Sequence, residues 1–246
     1  MSWNFSAAIG ALCAQMPPGT PALIYGDQTT TYDALGRRTD ALAAAFEDKG
    51  LPRGKHVGHM MRTHPPYLET AIAAGKAGLT HVNINYRYQA EELKHLFDTL
   101  DISVVVYDAE FADRIKALRD MGVPLDLCIE VGEGEDDFAD SYEELIAAHV
   151  GKAPSREPSD DDLIIIATGG TTGMPKGVMW RQEDMWHVLK ADGNFMGSLD
   201  NPPKAETLDD HVKNVLEHGP RLRFCTLAPY MHGTGLMTAM LTLAQG

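Results

Sequence analysis

Between Leu163 and Met179 the chain reads L-I-I-I-A-T-G-G-T-T-G-M-P-K-G-V-M, an apolar run joined directly to a loop of glycines, threonines and one lysine. Leu163, Ile164, Ile165, Ile166 and Ala167 form a run of strand length without alternation, the pattern of a strand covered on both faces. In the loop, Gly169, Gly170, Gly173 and Gly177 permit a tight backbone path and close approach of a ligand. Thr168, Thr171 and Thr172 add hydroxyls and Lys176 adds a positive charge, so several donors can converge on a phosphate chain. The bland alternative is a glycine-rich hairpin with an ordinary surface lysine. A Walker loop is excluded, because Pro175 precedes Lys176 and Gly177 follows it, and no dinucleotide fingerprint fits.

Working outward, the chain alternates apolar strand patterns with helical ones. Pro21 to Tyr32 predicts a hairpin turning at Gly26-Asp27. Leu35, Leu42 and Phe46 predict an amphipathic helix over 32–49 that stops at Gly50. A short strand near His56 to Met61 is followed by a helix from Tyr67 to Ala77, a strand in T-H-V-N-I-N-Y-R, and a helix around Glu91 to Leu100. Val104 to Tyr107 and Leu127 to Val131 read as strands, and Phe111 to Arg119 and Tyr142 to Ala148 as helices. The order predicts an α/β fold with layered sheets and flanking helices. Lys152 to Asp162, K-A-P-S-R-E-P-S-D-D-D, predicts a linker between a first layer over 1–151 and a second starting at Leu163. Beyond the loop, a helix is expected over 181–190 and another after Thr207, whose spacing to Asp210 suits a capping box. Gly219-Pro220 ends it, and R-L-R-F-C-T-L-A-P predicts a further strand.

Composition narrows the function classes. A chain of 246 residues with 44% hydrophobic content can build a sizeable core. A net charge of -14 argues against a nucleic-acid surface, which needs a basic face. It does not exclude nucleotide, since exposed charges beyond about 8 Å are screened at physiological salt. Cys13, Cys128 and Cys225 are odd in number and widely spaced, which reads as free thiols of a reducing compartment. The start lacks a secretory pattern and no apolar run reaches membrane-spanning length, so a cytoplasmic location is expected. His56, His59 and His64 do not read as a metal site, because His56 and His59 would face opposite sides of a strand. Glu133, Glu135, Asp136 and Asp137 read as a solvated acidic loop.

The loop string resembles the phosphate loop of the adenylate-forming superfamily, Y/F-T-S-G-T-T-G-x-P-K-G, which includes acyl-CoA synthetases, luciferases and peptide-synthetase adenylation domains. Thr168, Gly170, Thr171, Thr172, Gly173, Pro175, Lys176 and Gly177 match it, whereas Ala167 replaces the aromatic residue and Gly169 the serine. A second resemblance spans Ala71 to Arg87, where a small-residue helix leads into V-N-I-N-Y-R; its expected role is core architecture. A third lies in A-P-Y-M-H-G-T-G-L, Ala228 to Leu236, similar to the P-x-x-H-x-x-G segment of acyl-CoA synthetases.

The resemblance implies the incomplete amino-terminal large domain of an ATP-dependent acyl-CoA synthetase, an acid-thiol ligase activating a hydrophobic carboxylate and passing it to coenzyme A. It implies ATP phosphate contacts at Thr168, Gly169, Gly170, Thr171, Thr172, Gly173 and Lys176, with magnesium sharing the charge. It implies an acyl and coenzyme A tunnel near Tyr230, His232, Gly233 and Gly235. The family's Tyr-Gly-x-Thr-Glu segment, ribose-binding aspartate and carboxy-terminal lysine domain have no counterpart here, so Lys176 is not that catalytic lysine and the chain alone is expected to be inactive. A truncated binding module without turnover, or an acyl-AMP ligase with another acceptor, remain as alternatives. The end, L-M-T-A-M-L-T-L-A-Q-G, looks like an unfinished helix, and exposure of Leu236, Met237, Met240, Leu241 and Leu243 would favour self-association.

Overall fold

A computed structural model describes residues 2–134, 137–169, 174–191, 198–219 and 223–246. The elements are α1 (Phe5–Gln15), β1 (Pro21–Tyr25), β2 (Gln28–Thr31), α2 (Tyr32–Asp48), β3 (His56–Met60), α3 (Pro65–Lys76), β4 (Thr80–Asn83), α4 (Ala90–Thr99), β5 (Ile102–Asp108), α5 (Ala112–Asp120), β6 (Leu127–Val131), β7 (Asp140–Ser141), α6 (Tyr142–Ala148), β8 (Leu163–Thr168), β9 (Lys176–Arg181), α7 (Gln182–Val188), α8 (Leu208–His218) and α9 (Gly233–Leu243). β1 and β2 make a separate hairpin, and the other seven strands form one sheet in the order β7-β6-β5-β3-β4-β8-β9. All its pairings are parallel except β8 with β9.

Two apolar cores cover the two faces of that sheet. Val104 and Val106 of β5 point into one core with α1, α2, α3, α6, α8 and α9, while Val105 and Tyr107 point into the other with α4 and α5. Side-chain alternation along a strand therefore feeds both layers, and the central strands need apolar residues at nearly every position. The α3 crossover lies on one face and α4 on the other, as right-handed connections running in opposite directions from β3 and β4 require.

Four expectations are corrected. β8 pairs with β4, so Leu163 does not open a second layer; it continues the first sheet. The polar stretch 152–162 is pinned to the body: Arg156 donates to the carbonyls of Ala77 and Leu51, and Arg53 holds Asp162 at 2.6 Å. The strand expected in 221–229 is irregular over residues 223–229, because no strand among the described residues lies beside it to complete a ladder. Finally, Leu236, Met237, Met240, Leu241 and Leu243 are buried, not exposed. α9 packs against α1 and α3, and the Tyr32 hydroxyl and His211 imidazole bond the carbonyls of Leu243 and Ala244 at 2.9 and 2.7 Å. That removes the basis for self-association through this segment.

α1 and β9 were not foreseen. α1 starts at Asn4, whose side chain accepts from the Ser6 and Ala7 amides while its own amide reaches the Ser159 carbonyl. The expected box at α8 is present: Thr207 Oγ1 accepts from the Asp210 amide at 3.1 Å, and Asp210 accepts from the Thr207 amide at 3.0 Å. Thr207→Ala is expected to cost about 1 kcal/mol of stability, read as a lower urea midpoint. An unchanged midpoint would mean that solvent caps this helix equally well.

Candidate functional site

Parallel pairing puts the carboxyl ends of β3, β4, β5 and β8 on one edge of the sheet, where the connections from β3 and β4 depart to opposite faces. Such an edge leaves a crevice, the usual ligand position in open α/β sheets. Among the described residues of the expected phosphate site, Thr168 and Lys176 sit opposite one another, forming the last pair of the β8–β9 hairpin. Both are exposed. No carboxylate among the described residues pairs with Lys176, so its charge is available to an anion. Gly169 follows with open space around the position of a side chain. Gly170, Thr171, Thr172 and Gly173 lie outside the described residues.

Asn83, at the end of β4, is 1% exposed and links two of the segments singled out in the sequence. Its Oδ1 accepts from the Ala167 amide at 2.8 Å, and its Nδ2 donates to the carbonyls of Ala167 at 3.1 Å and Met231 at 2.6 Å. The V-N-I-N segment thus serves architecture, as expected, but at the site itself.

His232 caps α9 from an extended conformation and makes no side-chain bond to the helix it starts. Its imidazole is exposed, so it is not spent on local capping. A Cβ at Gly233 would lie 2.8 Å from Ile166 Cγ2, and one at Gly235 would lie 2.4 Å from the carbonyl oxygens of Ala228 and Pro229. The glycines seat α9 directly on β8 and on its own turn; the space that a side chain would take is filled by protein atoms, where ligand contact had been expected. Tyr230 is held by its amide on Thr63 Oγ1 at 3.2 Å and packs on Tyr67 with ring centroids 5.5 Å apart. Burial, followed by the nearby Cys225, pushes the Tyr230 phenol above its ordinary range.

Tyr230 lines a cleft of about 400 Å³ with Leu23, Tyr25, His64, Cys225 and Leu243. Sequence reading missed the pair there: His64 Nε2 lies 2.8 Å from Asp108 Oδ1, and Asp108 Oδ2 accepts from the Arg62 amide at 2.7 Å. Only strand order brings the ends of β3 and β5 together; no local spacing signals it. His56 and His59 do not converge on a common ligand: His56 Nδ1 contacts the Leu100 carbonyl, whereas His59 is buried beneath α3 beside Tyr67 and His81.

The chain belongs to the AMP-binding enzyme family, whose model matches residues 11–246. It is 32% identical over 241 residues to a medium/long-chain-fatty-acid–CoA/3-oxocholest-4-en-26-oate–CoA ligase of Mycobacterium marinum, covering 93% of this chain and 42% of that protein. A feruloyl-CoA synthase of Amycolatopsis is 34% identical over 166 residues, covering 68% of this chain and 31% of that protein. The chain therefore spans less than half the length of these relatives. In fold it resembles the inhibitor-bound N-terminal domain of FACL13 from Mycobacterium tuberculosis, with a TM-score of 0.77 at 23% identity, covering 100% of this chain and 56% of that one. Acetoacetyl-CoA synthetase from Streptomyces lividans gives 0.76 at 19% identity, over 98% of this chain and 37% of that one. No described helix is long and apolar enough to cross a membrane.

Proposed function

We propose that the chain is the amino-terminal part of an ATP-dependent acyl-CoA synthetase, acting on a hydrophobic carboxylic acid in the cytoplasm. The observation that carries this reading is the exposed Thr168–Lys176 pair at the strand-end crevice, tied through Asn83 to the turn that presents His232. In the reaction, a substrate carboxylate attacks the α-phosphorus of ATP and pyrophosphate leaves; the coenzyme A thiol then attacks the acyl carbon of the acyl-adenylate, forming the thioester and releasing AMP. Lys176, Thr168 and the amides from Gly169 through Gly173, with Thr171 and Thr172, hold the β- and γ-phosphates and stabilise the departing pyrophosphate. His232 and Tyr230 border the path of the acyl group and thiol. Among the described residues no three His, Cys, Asp or Glu side chains are placed to hold a metal.

Lys176→Ala is expected to weaken ATP binding about tenfold or more, the loss of one charge-assisted hydrogen bond. Isothermal titration of the chain with ATP checks it; equal affinity for the two proteins would remove Lys176 from the site. The chain alone is expected to turn over negligibly, since the carboxylate-side lysine and ribose contact of the family have no counterpart in it. Mass spectrometry of the native gene product gives its length, and carboxylate-dependent pyrophosphate release from that product tests the activity. No release with a broad panel of fatty and aromatic acids would defeat the synthetase reading.

A further inference from the structure

We propose that Asn83 is a positioning residue that locks the strand end carrying Thr168 and the turn carrying His232 into one unit, so that a nucleotide at the first is felt at the second. The proposal rests on the site reading above. Backbone pairing of β4 with β8 includes His81 with Ile164 and Val82 with Ile165, and reaches no further. Beyond it, the Asn83 side chain takes over both backbone groups of Ala167, acting as a substitute ladder rung one residue before Thr168. The second hydrogen of the same amide goes to the Met231 carbonyl, one residue before His232.

The amide can point only one way. Its oxygen meets an N–H and its nitrogen meets two carbonyls; a flipped amide would oppose a donor to a donor and an acceptor to two acceptors. Asn83 is buried, its bond to Met231 is buried and its two bonds to Ala167 are part-buried, so removing the amide takes the protein partner from two carbonyls and one N–H. They also join residues 84 and 148 positions away in sequence, and both target segments belong to the site. Elsewhere in the fold, Asn214 makes a bond of the same kind to the Pro203 carbonyl at 2.8 Å, away from either segment, and so provides a matched control.

Hydrogen exchange by mass spectrometry on the chain, with and without MgATP, tests the idea in Asn83→Ala, the volume-conserving Asn83→Leu, and Asn214→Ala. In both Asn83 variants, peptides over 163–169 and 229–236 should exchange about tenfold faster than in the wild type, as loss of a bond of ordinary strength implies. Saturating MgATP should slow both peptides in the wild type but only 163–169 in the Asn83 variants, a loss of communication that simple destabilisation does not produce. Asn214→Ala should match the wild type at both peptides. Acceleration of one segment alone, wild-type exchange in Asn83→Leu, or the same pattern in Asn214→Ala would overturn the inference. Failure of the wild-type chain to bind ATP would instead strike the site reading, and the ligand-free exchange rates would still decide whether the clamp exists.

Discussion

Alanine at position 38 should lower the unfolding free energy by about 3–5 kcal/mol, the cost of leaving a buried charge without its partner. The charge is Glu69 of α3, which is 2% exposed. Arg38 of α2 reaches it through Nε at 2.9 and 3.0 Å, and the Tyr142 hydroxyl of α6 donates to the same carboxylate. Burial, with the Glu69 charge beside it, pushes the Tyr142 phenol well above its ordinary range, so it remains a donor. The other edge of the Arg38 guanidinium forks onto Glu143 at 3.0 and 2.7 Å, but Glu143 is 65% exposed at its side chain. Three helices are therefore clasped around one carboxylate, and the outer ion pair adds little. Urea unfolding at neutral pH should show Glu143→Ala costing about 1 kcal/mol or less. The double variant Arg38→Ala with Glu69→Gln should recover much of the loss, because no charge is then stranded. A double variant as unstable as Arg38→Ala alone would show that packing of the long arginine side chain, not charge, supplies the effect. The consequence reaches the site, since α3 connects β3 to β4 and so helps to seat Asn83.

The fold was legible where one residue's environment is set by its neighbours in sequence. Ile164 and Ile165 had to be covered on both faces, and the spacing of Leu35, Leu42 and Phe46 had to put one face of α2 inward. β6 and α6 run over the very residues expected. β9 was hidden because it is an edge strand with Val178 and Met179 exposed, so it carries no inward-outward pattern. α1 was hidden because F-S-A-A-I-G-A-L-C-A-Q has small and apolar residues around its circumference and shows little helical stripe. Strand order could not be read, because the insertion of β3 between β4 and β5 depends on crossover direction and not on local pattern. The error over residues 223–229 has the same root: F-C-T-L has strand character, but a ladder needs a neighbour. For the site, the loop of glycines, threonines and Lys176 stood out in the sequence because its chemistry is local to one stretch, of which Gly170, Thr171, Thr172 and Gly173 lie outside the described residues. The Asn83 and His64–Asp108 contacts did not stand out, since each depends on pairing between distant strands.

Acid should weaken the fold through His59, by about 3 kcal/mol between neutral pH and pH 4. His59 lies on β3 directly opposite Asn83, fully buried, with its Nδ1 at 3.0 Å from the Val57 carbonyl. Burial pushes it from 6.5 down to about 4. His81, 4.2 Å away between ring centroids, is also pushed well down by burial and then by the neighbouring His59. His59 Nε2, both ring nitrogens of His81 and the hydroxyl of Tyr67 above the pair have no hydrogen-bond partner among the described residues, and the cost of burying a charge outweighs the backbone carbonyls near His59. The sign follows from which state takes the proton first. As pH falls below 6.5 the unfolded chain protonates His59 while the folded chain does not, so the unfolded state is stabilised relative to the folded one. The His59 contribution is complete above 6.5, declines through the interval, and stops changing below about 4. Carboxylates titrate in the same interval, so the effect must be isolated by difference. Urea unfolding free energies of wild type and His59→Phe, measured from pH 7 to pH 4, should have slopes that diverge as acid is added, the variant losing about 3 kcal/mol less. Phenylalanine keeps the ring against Tyr67 and His81 and removes the titrating nitrogens. Parallel curves would mean that the folded chain admits the proton freely, and with it enough water to reach the strand pair that holds Asn83.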